Sequence, residues 1–319
     1  MKDFKKHTYG KRLYMANRIN NYHFNEILGF EISKYNSDRI NNYNLLYEDL
    51  TLHEKEKYFI HVLEVLTSEI VKSGSHRIDD WEKGWGENLE LFKNTHNIDS
   101  LIPKYHGKNR YVRWMGDIIN PLAENFDYKI HICFIDSILD HYISSDICNI
   151  YEFGCGPGYH LLRLRDRRTD LGLHGLDWAF ASQNLISEIN KNLNSRIIPY
   201  NFNFFAPDYN VKIKENSLIY SIAALEQIGS NFMPFIDYVL QNKPRLCIHM
   251  EPIEELLNKE KFIDQLSIKY FHKRNYLNGY LPYLEKLQSQ GKLEIIDKRR
   301  IHSGSYFIEG HSLIVWRPI

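Results

Sequence analysis

The chain has 319 residues, enough for one large or two modest domains with a sizeable buried core. Its 40 basic residues balance 40 acidic ones, which excludes a bulk field that would draw it to nucleic acid or an anionic membrane. No apolar run approaches the ~20 residues of a membrane-spanning helix, Met1-Lys2-Asp3-Phe4-Lys5-Lys6-His7 lacks an apolar signal core, and the four cysteines form no C-x-x-C pair, so a soluble, cytoplasmic protein without a metal centre is expected.

Residues 1–45 are polar and irregular in pattern and are expected to form a partly ordered arm. From 46 to 146 the pattern is helical. Thr51-x-x-Glu54 is a capping box, and Phe59, Val62, Leu63, Leu66 and Ile70 recur at helical spacing until Ser73-Gly74. Pro121 is expected to open a further helix carrying Leu122, Phe126, Ile130, Phe134, Ile138 and Tyr142. Between them lie Trp81, Trp85 and Tyr111-Val112-Arg113-Trp114, which suit either stacking on a small polar ring or packing two subdomains together.

Ile150, Tyr151 and Phe153 mark a short buried strand. Glu152 stands near its end, the turn Gly154-Cys155-Gly156-Pro157-Gly158 follows, and a helix is expected from His160 to about Arg165. A glycine turn between a parallel strand and a helix lets a ligand approach the backbone beside the positive end of a helix dipole. A dinucleotide site needs G-x-G-x-x-G, and Tyr159 does not fit that spacing. An acid two residues before the first glycine suits a ligand that bears an amino group; tight packing of the turn is the alternative.

A second strand, Leu171–Leu176, ends in Asp177, nineteen residues after Gly158. That is about where a Rossmann-like fold grips a ribose, although Asp177 would also serve as a helix N-cap. A third strand, Ser195–Tyr200, leads to Asn203-Phe204. A fourth, Ser217–Ala223, runs into Ala224-Leu225-Glu226-Gln227, and a fifth, Arg245–His249, into Met250-Glu251-Pro252. Strands at Lys292–Ile301 and Ser312–Trp316 close the chain.

The pattern Glu-x-Gly-x-Gly-x-Gly at 152–158 resembles the first motif of class I S-adenosylmethionine (SAM)-dependent methyltransferases. Five β/α units and a terminal strand pair resemble their seven-stranded, Rossmann-like α/β sheet over about 147–319. The resemblance implies SAM as cofactor and S-adenosylhomocysteine (SAH) as product. The cofactor would be held by Glu152, Gly154, Cys155, Gly156, Gly158 and Asp177, with Trp178, Asn203, Phe204 and Ala224 beside them. Asn203 would accept from the adenine amino group, and Phe204 would pack on the ring. Replacing Gly156 by a bulky residue is expected to abolish binding and leave the fold intact.

In such a fold the helical section 46–146 forms a lid over the cofactor and shapes the acceptor pocket. Trp85, Arg113, Trp114, Gln227, His272, Arg274 and Tyr276 are the candidates for acceptor contacts. A chain starting near Ile147 is expected to keep some cofactor affinity and lose transfer. Transfer to a hydroxyl needs a base, and residues after the fourth and fifth strands are the place to look for one. His249 leads, oriented by Glu251 on the same side of the strand, with Glu226 as the alternative.

Leu225-Glu226-Gln227-Ile228, His249-Met250-Glu251-Pro252 and the final Trp316-Arg317-Pro318 are similar to bacterial sugar O-methyltransferases. This implies a small polar acceptor, a sugar hydroxyl in surface-glycan synthesis, with a homodimer as an option. The alternatives are methylation of a peptide or other natural product on oxygen or nitrogen, a catalytically silent SAM-binding partner subunit, and a redox enzyme on a Rossmann sheet.

Overall fold

A computed structural model describes residues 16–319. The first part holds strand β1 (Asn17–Ile19), helices α1 (Asn21–Leu28) and α2 (Lys34–Tyr43), strand β2 (Leu45–Asp49), helices α3 (Leu52–Thr67) and α4 (Ile78–Thr95), strands β3 (Val112–Trp114) and β4 (Asp117–Pro121), and helix α5 (Phe126–Tyr142). The arm expected over residues 1–45 is therefore ordered from Asn17 onward, and residues 1–15 lie outside the described residues. α1 starts at a capping box made by Asn20 and His23, a pairing the usual Ser/Thr…Glu signature does not reveal.

The Thr51–Glu54 capping box forms as expected: the Glu54 N–H donates to Thr51 Oγ1 at 3.2 Å and the Thr51 N–H to Glu54 Oε2 at 3.0 Å. α3 nevertheless ends at Thr67, before Ser73-Gly74. Pro121 does not open a helix. It ends β4, opposite Tyr47 of β2, and α5 begins only at Phe126. Nor is this section wholly helical, because short antiparallel strands build a five-stranded sheet in the order β1-β2-β4-β3-β11, the last being Ser303–Gly304 from the far end of the chain. Strands of two to five residues are too short to display alternation.

The second part contains β5 (Asn149–Phe153), α6 (Tyr159–Arg167), β6 (Gly172–Asp177), α7 (Phe180–Leu193), β7 (Ile197–Asn201), β8 (Ser217–Ile222), α8 (Met233–Asn242), β9 (Leu246–Glu251), α9 (Phe262–Arg274), α10 (Tyr280–Ser289), β10 (Leu293–Arg300) and β12 (Ser312–Pro318). Its sheet has seven strands in the order β10-β12-β9-β8-β5-β6-β7. The five from β5 to β9 are parallel, and β12 lies antiparallel between β9 and β10. The mixed seven-stranded α/β sheet expected from the strand count is thus present. One link differs: turns, not a helix, join β7 to β8.

The strand order reverses at β5, whose neighbours are β6 on one side and β8 on the other. Ligands of open α/β sheets bind at such a switch point, outside the carboxyl ends of the strands. Two apolar clusters cover the sheet faces. One runs without a break from Ile19, Phe24 and Phe134 through Ile150 and Leu161 to Val315. α5 belongs to it and buries twelve of its 17 residues. No gap in the core falls at 146/147; the helical section and the sheet share one interior.

Candidate functional site

The turn after β5 holds Gly154, Gly156 and Gly158 at φ of 73°, 50° and 70°, a left-handed backbone that side chains with a Cβ resist. Protein packing makes a second demand. A Cβ on Gly154 would stand 2.3 Å from the Ala224 Cβ, and one on Gly156 would stand 2.7 Å from the indole of Trp85. A bulky residue at 156 would therefore have to push the Trp85 indole aside, so such a change is expected to disturb protein packing as well as ligand approach. Asp177 ties the turn down: its Oδ2 accepts the Gly156 N–H at 2.9 Å and its Oδ1 the Ala179 N–H at 3.0 Å. Asp177 is not the N-cap of α7; Ala179 holds that place.

The turn, the ends of β6 and β8, and the helical section line a partly open cavity, placed where open α/β sheets bind their ligands. Glu152 and Asp177 supply its acids, and both are almost fully buried. Burial, with Asp177 adding repulsion, pushes the Glu152 carboxyl up to about 8 even though it accepts the Tyr220 hydroxyl at 2.9 Å. Burial likewise lifts Asp177 to about 6 against its backbone N–H partners. A cation placed here would return both to the charged form.

Of the residues expected around the cofactor, Glu152, the three glycines, Cys155, Asp177, Trp178, Phe204 and Ala224 all line the cavity. Asn203 is not in its wall; its Oδ1 accepts the Phe205 N–H at 2.9 Å and shapes the turn after β7. Phe205 takes the place in the wall instead, stacked on Trp178 with ring centroids 6.0 Å apart.

The acceptor candidates divide. Trp85 and Gln227 line the cavity. Arg274 and Tyr276 gather beside Glu226 outside it, the guanidinium lying 5.3 Å from the Tyr276 ring centre. Arg113 is 3% exposed and spends its donors on Ile263 O, Phe307 O and the Tyr58 hydroxyl, so it is a tie between segments and not a ligand contact. Trp114 is buried in the core against Phe24 and Phe134. His272 lies at the surface, paired with Glu254 at 2.5 Å.

The expected base is also corrected. His249 and Glu251 do share one side of β9, bridged by the Ser221 hydroxyl at 2.8 Å from each. Both have no exposed surface. The His249 ring sits among Phe235, Tyr280 and Trp316, where burial pushes it down to about 3. Glu251 accepts the N–H groups of Ala224, Leu225 and Glu226 at 3.1–3.2 Å and so holds the helical turn after β8. Period two placed these side chains together; it carries no information on whether that side is cavity or core. Glu226 is buried next to cavity-lining residues, its Oε1 accepting the Gln227 amide at 2.7 Å, and burial reinforced by Glu251 lifts it to about 8.

Of the other wall residues, only Trp81 was singled out in the sequence. Pro103, Tyr105 and Trp81 come from the helical section, and His160 from the first turn of α6. Glu82 of α4 accepts the Ala181 N–H at 2.9 Å and so caps α7, along which α4 packs. Only the Trp81–Trp85 spacing, one helical turn apart, hinted that one face of α4 would be used. Among the described residues no group of three or more His, Cys, Asp or Glu side chains is placed to hold a metal ion, and no helix is long and apolar enough to cross a membrane.

Comparison with protein-family models finds no match, and neither does comparison with curated proteins. Among solved structures, TnmH aligns at a TM-score of 0.44 and 16% identity over 61% of this chain and 57% of its own. Magnesium protoporphyrin IX methyltransferase (ChlM) from Synechocystis PCC 6803, with bound SAH, aligns at 0.45 and 11% over 61% of this chain and 86% of its own. An O-methyltransferase family protein from Burkholderia thailandensis aligns at 0.42 and 11% over 60% and 59%. The chain thus spans less than two thirds of TnmH and of the Burkholderia protein. All three scores fall below 0.5, and the fold rests on the strand order of the sheet itself.

Proposed function

We propose that this chain is a SAM-dependent methyltransferase acting on a small polar acceptor. The observation that carries the reading is a buried acid and a glycine turn at the switch point of the sheet, opening on a cavity with a second acid and aromatic walls. The residues present fit the cofactor. Glu152, lifted by burial, suits an ammonium. Each Asp177 oxygen takes one backbone N–H and keeps a lone pair for a ribose hydroxyl. Phe204, Phe205 and Trp178 offer faces for an adenine. When bound, SAM supplies an activated methyl on a sulfonium; the chain's task is to align the acceptor with it, exclude water and remove a proton.

Within that class, the acceptor we favour is a sugar hydroxyl in surface-glycan synthesis. Support comes from the similarity of the 225–228, 249–252 and 316–318 segments to sugar O-methyltransferases, and from the mixed aromatic and polar wall of Trp81, Tyr105 and Gln227.

Calorimetry tests the cofactor. SAH is expected to bind at micromolar level, about 8 kcal/mol, and NAD far more weakly. Clear NAD binding with no heat from SAH would overturn the reading. Transfer of labelled methyl from SAM to methyl glycosides, with none to peptides, is the expected result for the sugar acceptor; the reverse replaces it with a peptide.

A further inference from the structure

A hydroxyl acceptor must lose its proton, and the groups after β8 and β9 are engaged elsewhere. His249 is enclosed by aromatic rings, Glu251 holds four donors, and Glu226 lies outside the wall. Within the wall, Glu152 accepts from Tyr220, Asp177 accepts two backbone N–H groups, and the Cys155 thiol is pushed up by burial beside Ser182. Besides the phenols of Tyr105 and Tyr159, the wall holds one imidazole, that of His160.

His160 does not stand alone. Four histidines from four separate segments converge beside the cavity, with His131 of α5 at their centre. Its ring centroid lies 5.7 Å from His160, 5.4 Å from His106 and 4.5 Å from His311, which precedes β12. His131 is only 7% exposed. The Nδ1 atoms of His131, His160 and His311 are all buried without a hydrogen-bond partner. Buried polar atoms are nearly always satisfied, so three unpartnered nitrogens on neighbouring rings call for bridging water. At the outer end, His106 Nδ1 lies 3.3 Å from Asp127 Oδ2, and these two side chains keep 13% and 26% of their surface exposed.

We propose that His160 accepts the proton of the acceptor hydroxyl, and that His131 and the His106–Asp127 pair conduct it to solvent. This assignment rests on the methyltransferase reading. As the acceptor oxygen bonds the methyl carbon, the carbon–sulfur bond breaks and its electron pair stays on sulfur. The hydroxyl proton passes to the His160 imidazole, and from there through His131 and water to His106. Burial, with the Arg163 guanidinium adding to it, pushes His160 down to about 3, and burial pushes His311 down to about 4. Both rings are therefore neutral at physiological pH, and His160 takes the proton only as the acceptor oxygen bonds the methyl carbon and turns strongly acidic.

The test needs no known acceptor. Sinefungin replaces the sulfonium with an amine-bearing carbon and so places an N–H donor where the methyl would be. His160→Ala is expected to weaken sinefungin about tenfold and to leave SAH affinity within about twofold, with His160→Gln falling between. In protein labelled with ¹⁵N-histidine, sinefungin should move the His160 and His131 ring signals, and Asp127→Asn should alter the His131 tautomer. Equal loss of sinefungin and SAH would put His160 on the cofactor's amino-acid tail and overturn the proposal. Unchanged sinefungin binding, with loss in Glu226→Gln, would move the base to the turn after β8. Failure of both ligands to bind the unaltered protein would instead remove the methyltransferase reading, and the relay with it.

Discussion

Gly154 and Gly158 share a left-handed backbone but differ in what lies beyond the missing Cβ. At Gly154 the obstacle is the Ala224 Cβ at 2.3 Å, fixed to a backbone that Glu251 holds. At Gly158 it is the Ile186 Cγ1 at 3.0 Å, on a side chain that can turn aside. Both alanine variants store backbone strain of about 1–2 kcal/mol, and only Gly154→Ala adds a clash that the turn cannot relieve. Urea denaturation should therefore rank Gly154→Ala well below Gly158→Ala in stability. Equal losses would mean that the turn after β8 moves freely. The three glycines were legible in the sequence, whereas their steric partners, Trp85, Ala224 and Ile186, were not.

Helix α4 is a wall of the site as much as a cover. It packs along α7, caps it through Glu82 and lays Trp85 on Gly156. Glu82→Ala should cost about 0.5–2 kcal/mol through the lost cap, and Trp85→Ala about 3–5 kcal/mol through the cavity it leaves. Both should weaken SAH binding as well. The same logic revises the expectation for a chain starting near Ile147. Without α5 the apolar face around Ile150, Leu161 and Val315 loses its cover, so the truncated protein should be insoluble or unfolded instead of retaining cofactor affinity. A soluble fragment that binds SAH would show that the sheet closes its core alone.

At the scale of the molecule, buried titratable groups oppose one another. His131, His174 and His249 are held neutral by burial, His174 pushed down to about 4 and His249 to about 3. Their contribution is complete above the free imidazole value, about pH 6.5, and drains away as pH falls toward the folded values. Glu152, Asp177, Glu226 and Glu251 are pushed up by burial to about 8, 6, 8 and 7. Their contribution is complete below about pH 4 and is lost as pH rises through those values. The melting temperature should therefore peak in the mildly acidic range, at about pH 5–6.5. If SAH binds with its ammonium at Glu152, as proposed, it should favour the charged form and carry the peak upward. A maximum above pH 8 without ligand would contradict this account.

The parallel strands, their order of appearance and the acid–glycine turn were determined by the sequence alone, because short continuous apolar runs bounded by turn residues, and a glycine-rich turn, are local properties. So were the Thr51 capping box and the ribose-spaced Asp177. Tertiary structure decided the rest. Whether His249 faced solvent or core depended on aromatics from α8, α10 and β12. Whether Arg113 met a ligand depended on carbonyls at positions 263 and 307. The histidine group joins residues 106, 131, 160 and 311, which no spacing rule connects. Local pattern sets which way a side chain leaves the backbone; only the packed neighbours set what it meets there.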